Sequence, residues 1–356
     1  MKRRATKQIA VGTVGIGSAH PVAVQTMWSH PFPARDDETR YQALMSSLRS
    51  YATMGCALIR FSYPDSQDRA VFTRICAESP MPVVADIHFD WKLAIEALSC
   101  GAQKIRINPG NIGAKWKVEE VVRAAKDQGK AIRIGLNGGS LPHHLRSSDH
   151  GQAMVDTALT YLDWFESWGF EQSVISLKDT DGDTTYRAYR MIAERCDYPL
   201  HLGVTEAGTV VSAIARSTWF LGRLLSEGIG DTMRISITGS KEDEIAGARE
   251  IMRTVGLETD GIRIVSCPRC GRASFDSQAF MQQIQSRLLT CRTVLTVAIM
   301  GCQVNGPGEA AQADIAITGI GNRVFLYEKG VLVRQIAAAD AESVLFARIQ
   351  ELSDAQ

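Results

Sequence analysis

The amino-acid sequence predicts an α/β protein in which a (β/α)8 barrel is followed by a small α+β domain. Between residues 20 and 240, a short β-rich run, a polar or glycine-containing loop and a helical stretch follow one another eight times. After residue 258 this alternation stops. A chain of 356 residues is long enough for two domains of ordinary size. We therefore expect a barrel over residues 1–258 and a second domain over 259–356.

The β-rich runs identify the strands of the barrel. They are VAVQTM (22–27), ALIRFS (57–62), MPVVADIH (81–88), QKIRIN (103–108), AIRIGLN (131–137), VISLKD (174–179), PLHLGVT (199–205) and TMRISIT (232–238). Strands that alternate with helices pair in parallel through right-handed crossovers, and eight such units match a closed barrel. A doubly wound open sheet is the alternative. Ser240 and Asp243 have the spacing of a capping box at the start of the last barrel helix, and Gly256 is placed to end that helix.

The second domain is predicted to contain both helices and strands. A strand leads into SCPRCGR, a helix follows from about residue 276 to 289, and the strand LTVAIM precedes the glycine-rich turn GCQVNGPGE. The strand ADIAIT, the hairpin NRVFLYEKGVLVRQ and a helix after Asp340 complete the domain.

Charge and hydropathy patterns exclude several classes of partner. Lys plus Arg and Asp plus Glu both number 39, so the formal net charge is zero and a general nucleic-acid or membrane surface is not expected. The basic start of the chain is not followed by an apolar stretch of signal-peptide length, and no run of about 18 apolar residues occurs. These features predict a cytoplasmic protein.

Basic side chains fall near the carboxyl ends of five predicted strands, the end at which barrel active sites lie. They are Arg60, Arg106, Arg133, Lys178 and Arg234. A single charge of this kind is usually a solvated edge residue or half of a buried ion pair. Five cations that converge in a partly dry cavity are costly to desolvate unless an anion completes the site, and the arginine fork suits phosphate oxygens. The pattern predicts a phosphate or diphosphate ligand.

Other polar residues share these strand ends. Asp86 and His88 occupy one face of the third strand, where they are equally consistent with acid–base or hydroxyl-binding roles and with a hydrogen-bonded structural pair. The loops NPGNIG, NGGS and TEAG, at 108–113, 137–140 and 205–208, offer backbone N–H groups where helices begin, which adds weak support for an anion site.

The cysteines of the second domain form a candidate metal site. Cys267 and Cys270 form a C-x-x-C motif, and Cys302 lies in the glycine-rich turn. The motif by itself is compatible with zinc, a redox dithiol or an iron–sulfur cluster. Three thiolates leave one position of a 4Fe-4S cluster for another ligand, and Glu309 lies seven residues after Cys302. The other cysteines are expected to be buried apolar residues; they are Cys56, Cys76, Cys100, Cys196 and Cys291.

From the residues alone, three functional classes stay open. They are a reductive iron–sulfur enzyme, a barrel lyase or hydrolase that acts on a phosphorylated substrate and carries a structural zinc module, and an electron-transfer module fused to a barrel. The identity of the metal separates the first two classes, and turnover of a small molecule separates the third.

Several segments together resemble the 4-hydroxy-3-methylbut-2-enyl diphosphate synthase family of the methylerythritol phosphate route to isoprenoids. They are VQTM, ADIHF, IRINPGNIG, IRIGLNGGSL, ISLK, LHLGVTEAG, GIGDTMRISIT, SCPRCGR and GCQVNGPGEA. The resemblance spans the chain and is to the bacterial two-domain type. It implies a TIM-type barrel and a 4Fe-4S domain similar to those of sulfite and nitrite reductases. It also implies reductive dehydroxylation and ring opening of 2-C-methyl-D-erythritol 2,4-cyclodiphosphate to (E)-4-hydroxy-3-methylbut-2-enyl diphosphate, with two electrons from flavodoxin or ferredoxin.

The resemblance also implies roles for residues that match the family's motifs. Cluster ligands would be Cys267, Cys270, Cys302 and Glu309. Catalytic contacts would come from Glu309, Glu206, His88 and Asp86. Substrate would be bound by Arg60, Arg106, Asn108, Arg133, Asn137, Lys178, Thr205, Arg234, Ser236 and Asn305. A head-to-tail homodimer is implied, in which the cluster domain of one chain caps the barrel of the other. The segments WSHPFPARDD and KDTDGDT depart from the family's usual pattern.

Overall fold

The computed structural model describes residues 2–141, 149–205, 208–257, 260–268, 270–271, 273–302, 308 and 311–355. The chain forms two compact units, residues 1–258 and 259–356. The described part of the first unit contains nine helices, and that of the second contains two.

The first unit is built on a parallel sheet that begins after a short antiparallel hairpin. The hairpin strands are β1 (Ile9–Val11) and β2 (Val14–Ile16). The strands of the sheet are β3 (Ala23–Met27), β4 (Leu58–Ser62), β5 (Val83–Asp86), β6 (Lys104–Ile107), β7 (Ala131–Asn137), β8 (Ser173–Lys178), β9 (His201–Leu202) and β10 (Thr232–Met233). All eight predicted strands are therefore present, although β9 and β10 are much shorter than the runs that predicted them.

The order of the strands closes the sheet into a barrel. Among the described residues the order is β8-β7-β6-β5-β4-β3-β10-β9, and every pairing is parallel. The two ends meet where Ile175 of β8 forms a parallel bridge with Leu200, next to β9, and the amide of Ile175 donates to the carbonyl of Pro199 at 2.9 Å. The predicted barrel is confirmed, and the open doubly wound sheet is excluded.

Helices surround the barrel and connect its strands. They are α1 (Glu38–Thr53), α2 (Arg69–Glu78), α3 (Trp91–Ser99), α4 (Pro109–Ile112), α5 (Lys115–Asp127), α6 (His150–Ser167), α7 (Gly182–Arg195), α8 (Val210–Ser226) and α9 (Lys241–Thr254). Ser240 caps α9 at the predicted position: its Oγ accepts from the amide of Asp243 at 3.1 Å and donates to Asp243 Oδ2 at 2.7 Å, which is the amino-terminal half of the predicted capping box. Gly256 has a φ of +73°, a left-handed conformation suited to the end of a helix.

The hairpin β1–β2, which the sequence analysis did not predict, closes the amino-terminal end of the barrel. Ile9, Val11 and Ile16 of the hairpin are buried in one apolar cluster with residues of four strands. Those strand residues are Leu58, Val84, Ala131 and Val174. Two residues further along each of these strands, on the same face, lies a polar side chain; these are Arg60, Asp86, Arg133 and Ser176. The lumen is therefore apolar at the hairpin and polar at the carboxyl ends of the strands.

The second unit packs two helices against a mixed sheet. In its described part, the sheet order is β11-β12-β13-β14-β15, with the first three strands parallel and the last two antiparallel. The elements are β11 (Ile262–Ser266), α10 (Ser277–Thr290), β12 (Leu295–Met300), β13 (Ile315–Ile320), β14 (Arg323–Glu328), β15 (Val331–Ala337) and α11 (Ala341–Asp354). Phe280 and Ile284 of α10 and Leu345 and Ile349 of α11 bury their side chains against the sheet. Every helix and strand predicted for this domain is observed, and most of the predicted turn GCQVNGPGE lies outside the described residues.

None of the helices in the described part of the chain has both the length and the apolar character needed to cross a membrane.

Candidate active site and metal centre

A polar cavity of about 220 Å³ lies at the carboxyl ends of the barrel strands. All five cations predicted to converge there line it. The complete lining is Met27, Arg60, Asp86, His88, Arg106, Arg133, Gly135, Asn137, Ser176, Lys178, Thr205, Arg234 and Ser236. Because side chains alternate across a strand, positions two apart in β7 and β8 reach the same cavity.

Asp86 holds two of these cations. Parallel pairing sets Asp86 of β5 beside Arg106 of β6. Arg106 donates from NH1 to Asp86 Oδ1 at 3.2 Å, and Arg60 Nε lies 3.6 Å from Asp86 Oδ2. Burial alone would raise the pKa of Asp86, but the charges of Arg60 and Arg106 lower it to about 2. The carboxylate is therefore ionised at neutral pH and orients two guanidinium groups.

Arg133 has unused donors inside the cavity. Its side chain is 2% exposed, and within the described part of the chain its Nε and NH1 have no hydrogen-bond partner. Burial and the charges of Arg60 and Arg106 lower the pKa of Arg133 well below its usual range. A guanidinium is nevertheless the last basic group to give up its proton, because its intrinsic pKa is so high. A buried cation with free donors is stabilised when an anion enters.

Lys178 adds a further cation beside Arg133. It is buried, and burial together with the charge of Arg133 lowers its pKa well below the usual range for lysine. Two backbone positions leave room for these long side chains. A Cβ at Gly203 would lie 2.2 Å from Lys178 Nζ, and a Cβ at Gly135 would lie 2.4 Å from Arg106 Nε. Both glycines are needed so that the cations can cross the lumen.

Glu244 positions Arg234, and the sequence analysis did not single it out. This carboxylate, 1% exposed, accepts from Arg234 NH2 at 3.0 Å and from Lys241 Nζ at 2.8 Å. Thr26 Oγ1 of β3 donates to its other oxygen at 2.6 Å. Burial alone would raise the pKa of Glu244, but Arg234 and its other partners lower it. In the sequence Glu244 is one of three acidic residues in the first turn of α9, which is a common solvated pattern, so nothing marked it as a buried partner.

The remaining predicted contacts divide into three groups. His88, Asn137, Thr205 and Ser236 line the cavity. Asn108 does not line it; its side chain accepts from the amide of Gly110 at 3.1 Å and caps α4. Glu206, Asn305 and Glu309 lie outside the described residues.

Neighbouring parallel strands bring three of the four cysteines of the second unit to the carboxyl ends of β11 and β12. Cys267 directly follows β11, and its amide donates to the carbonyl of Ile299 in β12 at 3.0 Å. Cys270 follows three residues later, and Cys302 lies two residues after the end of β12. None of these three cysteines forms a disulfide bond. Within the described residues, no group of three or more Cys, His, Asp or Glu side chains lies close enough to bind a metal ion.

The other five cysteines lie away from these strand ends, four in the first unit and Cys291 in the second, and none of them forms a disulfide bond. Cys56 and Cys100 are buried, and Cys76, Cys196 and Cys291 are partly buried. Burial raises the pKa of Cys56 and of Cys76 to about 12, which keeps these thiols protonated and poor metal ligands.

A closed parallel barrel with a cationic cavity at the carboxyl ends of its strands defines a TIM-barrel protein. Solved barrels agree with this class. The dihydropteroate synthase of Xanthomonas albilineans superposes with a TM-score of 0.51 at 12% identity, covering 70% of this chain and 97% of that chain. The enzyme of Vibrio fischeri gives 0.50 at 11% identity, covering 71% and 99%. At such identities the likeness shows the fold alone.

The chain belongs to the GcpE family. The GcpE TIM-barrel domain matches residues 6–249, and the GcpE protein C-terminal domain matches residues 263–351. A relative in Geobacter sulfurreducens, named 4-hydroxy-3-methylbut-2-en-1-yl diphosphate synthase (flavodoxin), is 42% identical over 350 residues, which cover 98% of each chain. A relative of the same name in Thermodesulfovibrio yellowstonii is 40% identical and covers 99% of this chain and all of its own.

The close approach of Gly135 to Arg106 gives a testable prediction. Gly135→Ala would place a methyl group against Arg106 Nε and displace the guanidinium from the cavity. We expect the affinity for inorganic pyrophosphate, measured by titration calorimetry, to fall by about tenfold, the value of one charge-assisted hydrogen bond. Gly222→Ala in α8 is the control, because a Cβ there meets only ordinary contacts of 3.7 Å or more. Equal affinities in the two folded variants would show that the position of Arg106 is immaterial.

Proposed function

We propose that the barrel cavity binds 2-C-methyl-D-erythritol 2,4-cyclodiphosphate. We also propose that Cys267, Cys270 and Cys302 of the second unit hold a 4Fe-4S cluster. The chain is an oxidoreductase of its family. The reaction is reductive dehydroxylation with ring opening, which yields (E)-4-hydroxy-3-methylbut-2-enyl diphosphate for isoprenoid biosynthesis. The observation that carries the proposed site is the set of five convergent cations, with buried and unused donors on Arg133.

The cationic residues would bind and orient the two phosphate groups. Arg106 and Arg60 are already held by Asp86, and Arg234 is held by Glu244, so their guanidinium groups need little reorganisation when substrate enters. Arg133 and Lys178 lack comparable carboxylate partners among the described residues and would gain most from the anion. His88, Ser236 and Thr205 would contact the less charged parts of the ligand.

The residues of the second unit fit an iron–sulfur cluster in the chemistry of their donor set. The thiols of Cys267, Cys270 and Cys302 follow the carboxyl ends of adjacent parallel strands, and soft thiolates are the usual ligands of such clusters. We propose Cys267, Cys270, Cys302 and Glu309 as ligands, with Glu309 assigned from the family's motif. When bound, the cluster would pass to the substrate the two electrons that the external donor supplies. Asn305 and Glu206 are proposed as further substrate contacts from the same motifs.

Flavodoxin is the proposed electron donor, because the curated relatives carry it in their names. Ferredoxin is the alternative donor. A reducing cytoplasm is the proposed location, since a cluster held by thiolates, in a chain whose eight cysteines form no disulfide, suits a compartment that keeps thiols reduced.

Anaerobic turnover tests substrate, cofactor and reaction class together. The reconstituted protein is expected to consume the cyclodiphosphate and form the hydroxymethylbutenyl diphosphate when dithionite and a viologen mediator supply electrons. Product is measured by phosphorus NMR and iron by colorimetric assay. A colourless protein with stoichiometric zinc would instead support the barrel lyase or hydrolase.

Single cysteine replacements test the ligand set. Replacing Cys267, Cys270 or Cys302 with alanine is expected to remove most of the iron and nearly all turnover, because a cluster that loses a thiolate ligand is poorly held. Cys291→Ala is the matched control, since Cys291 lies at the end of α10, packed against the apolar core of the same unit. Iron retained in Cys302→Ala but lost in Cys291→Ala would refute this assignment.

We also propose the head-to-tail homodimer implied by the family's motifs, in which each active site combines the barrel of one chain with the cluster domain of the other. A two-fold axis then makes two equivalent composite sites.

Complementation between inactive chains tests this arrangement. Cys302→Ala and Arg133→Met chains are mixed, dissociated and reassociated. Random pairing makes about half of the dimers mixed, and each mixed dimer holds one intact site of two, so about one quarter of wild-type turnover is expected. If each site is built within one chain, turnover stays at zero even though native mass spectrometry shows mixed dimers.

A further inference from the structure

A layer of buried polar side chains lies in the barrel lumen beneath the cavity. Lys104 of β6 and His201 of β9 have no solvent exposure, and Gln25 of β3 is 1% exposed. Within the described residues, Lys104 Nζ, His201 Nε2 and both amide atoms of Gln25 have no hydrogen-bond partner. The other ring nitrogen of His201 lies 2.7 Å from Thr232 Oγ1. None of these residues was singled out by the sequence analysis.

The position of Lys104 places it directly below the proposed anion site. It lies two residues before Arg106 on the same face of β6, and it pairs in register with Ala131, two residues before Arg133. Its other neighbour in register is Val84. Val84 and Ala131 belong to the apolar layer that packs on the hairpin. A lysine therefore stands at the level where the neighbouring strands place apolar residues.

The groups that face Lys104 are mostly basic. The titratable groups that interact with Lys104 through the lumen are Arg133 of β7, Arg60 of β4 and His201 of β9. Asp86 and Glu244 are already engaged by arginines. No ion pair joins Lys104 to a carboxylate in the described residues, and an ammonium without an acceptor is costly in a dry interior.

Burial without an acceptor among the described residues disfavours the charged form of Lys104 in the free protein. Burial, followed by the charges of Arg133 and Arg60, lowers its pKa well below the usual range for lysine. Buried arginines keep their protons, because the intrinsic pKa of a guanidinium is so high. A buried lysine can therefore change its protonation state when an anion enters the cavity.

We propose that Lys104 is a positioning residue beneath the anion site, neutral in the free protein, that takes up a proton when the diphosphate enters the cavity above it. This inference rests on the proposed function of that cavity. The proton comes from solvent or buffer, and no bond of the substrate forms or breaks in the step. Because each phosphorus of the cyclodiphosphate carries one strongly acidic oxygen, the ligand itself does not titrate near neutral pH.

Linkage fixes the sign of the effect. If binding takes up a proton, the affinity for the cyclodiphosphate must fall as pH rises, with a slope equal to the number of protons taken up. A lysine that is already charged, or one that never becomes charged, adds no slope.

Titration calorimetry of the anaerobic holoenzyme with the cyclodiphosphate, in two buffers of different ionisation enthalpy, measures the protons taken up. Wild type is expected to take up a substantial fraction of one proton. Lys104→Met is expected to lose most of this uptake and to bind about tenfold more weakly near neutral pH, with the difference shrinking as pH rises. Lys92→Met, which removes an exposed lysine from α3, is the control and is expected to match wild type.

Three outcomes would overturn the inference. They are a wild-type protein that binds without taking up protons, undiminished uptake in Lys104→Met, and loss of uptake in Lys178→Met but not in Lys104→Met. Lys104→Gln is the second variant if Met is poorly tolerated, and its thermal unfolding midpoint tests whether the fold survives. Failure of the wild type to bind the cyclodiphosphate at all would refute the proposed function itself, a result distinct from binding without proton uptake.

Discussion

The packing of several cations into the lumen of one barrel is the constraint on which the rest of the first unit depends. Desolvated guanidinium and ammonium groups repel one another and lose their hydration, so each needs a nearby partner or a ligand. Asp86 and Glu244 supply the two described carboxylates that pair with cations at the cavity. Gly135 and Gly203 supply the space. The charge that stays uncompensated on Arg133 and its neighbours is what makes the cavity selective for an anion.

The hairpin at the amino-terminal end makes this polar arrangement possible. Ile9, Val11 and Ile16 cover the lumen with apolar side chains, which prevents solvent from reaching the cations from below. The low dielectric that results strengthens every electrostatic interaction in the cavity, including the repulsion among the cations when no anion is bound. Lys104 lies at the boundary between the apolar and polar layers, where that cost falls on the group that most readily gives up its proton.

The second unit uses the same geometric rule for a different donor set. In both units, neighbouring parallel strands carry the predicted site residues at or just after their carboxyl ends. The barrel gathers nitrogen donors from strands that close into a ring, whereas β11 and β12 gather thiols from the parallel part of a mixed sheet. The antiparallel strands β14 and β15 extend this sheet on the far side of β13 from the cysteines, and α10 and α11 bury apolar residues against it.

The sequence by itself determined the fold, the strand that carries each cation and the side of the strand on which it lies. Alternation of apolar and polar residues is a local property, so Arg60, Arg133 and Lys178 could be assigned to the lumen side of their strands from the sequence alone. Tertiary structure decided which cations have partners. Glu244 reaches Arg234 across a helix–strand interface, because such a contact depends on packing that no local pattern encodes. Asn108 uses its side chain to cap α4, a local hydrogen bond, and does not line the cavity. The burial of Lys104 without a hydrogen-bond partner among the described residues was likewise decided by closure of the barrel, since burial is a property of the whole lumen.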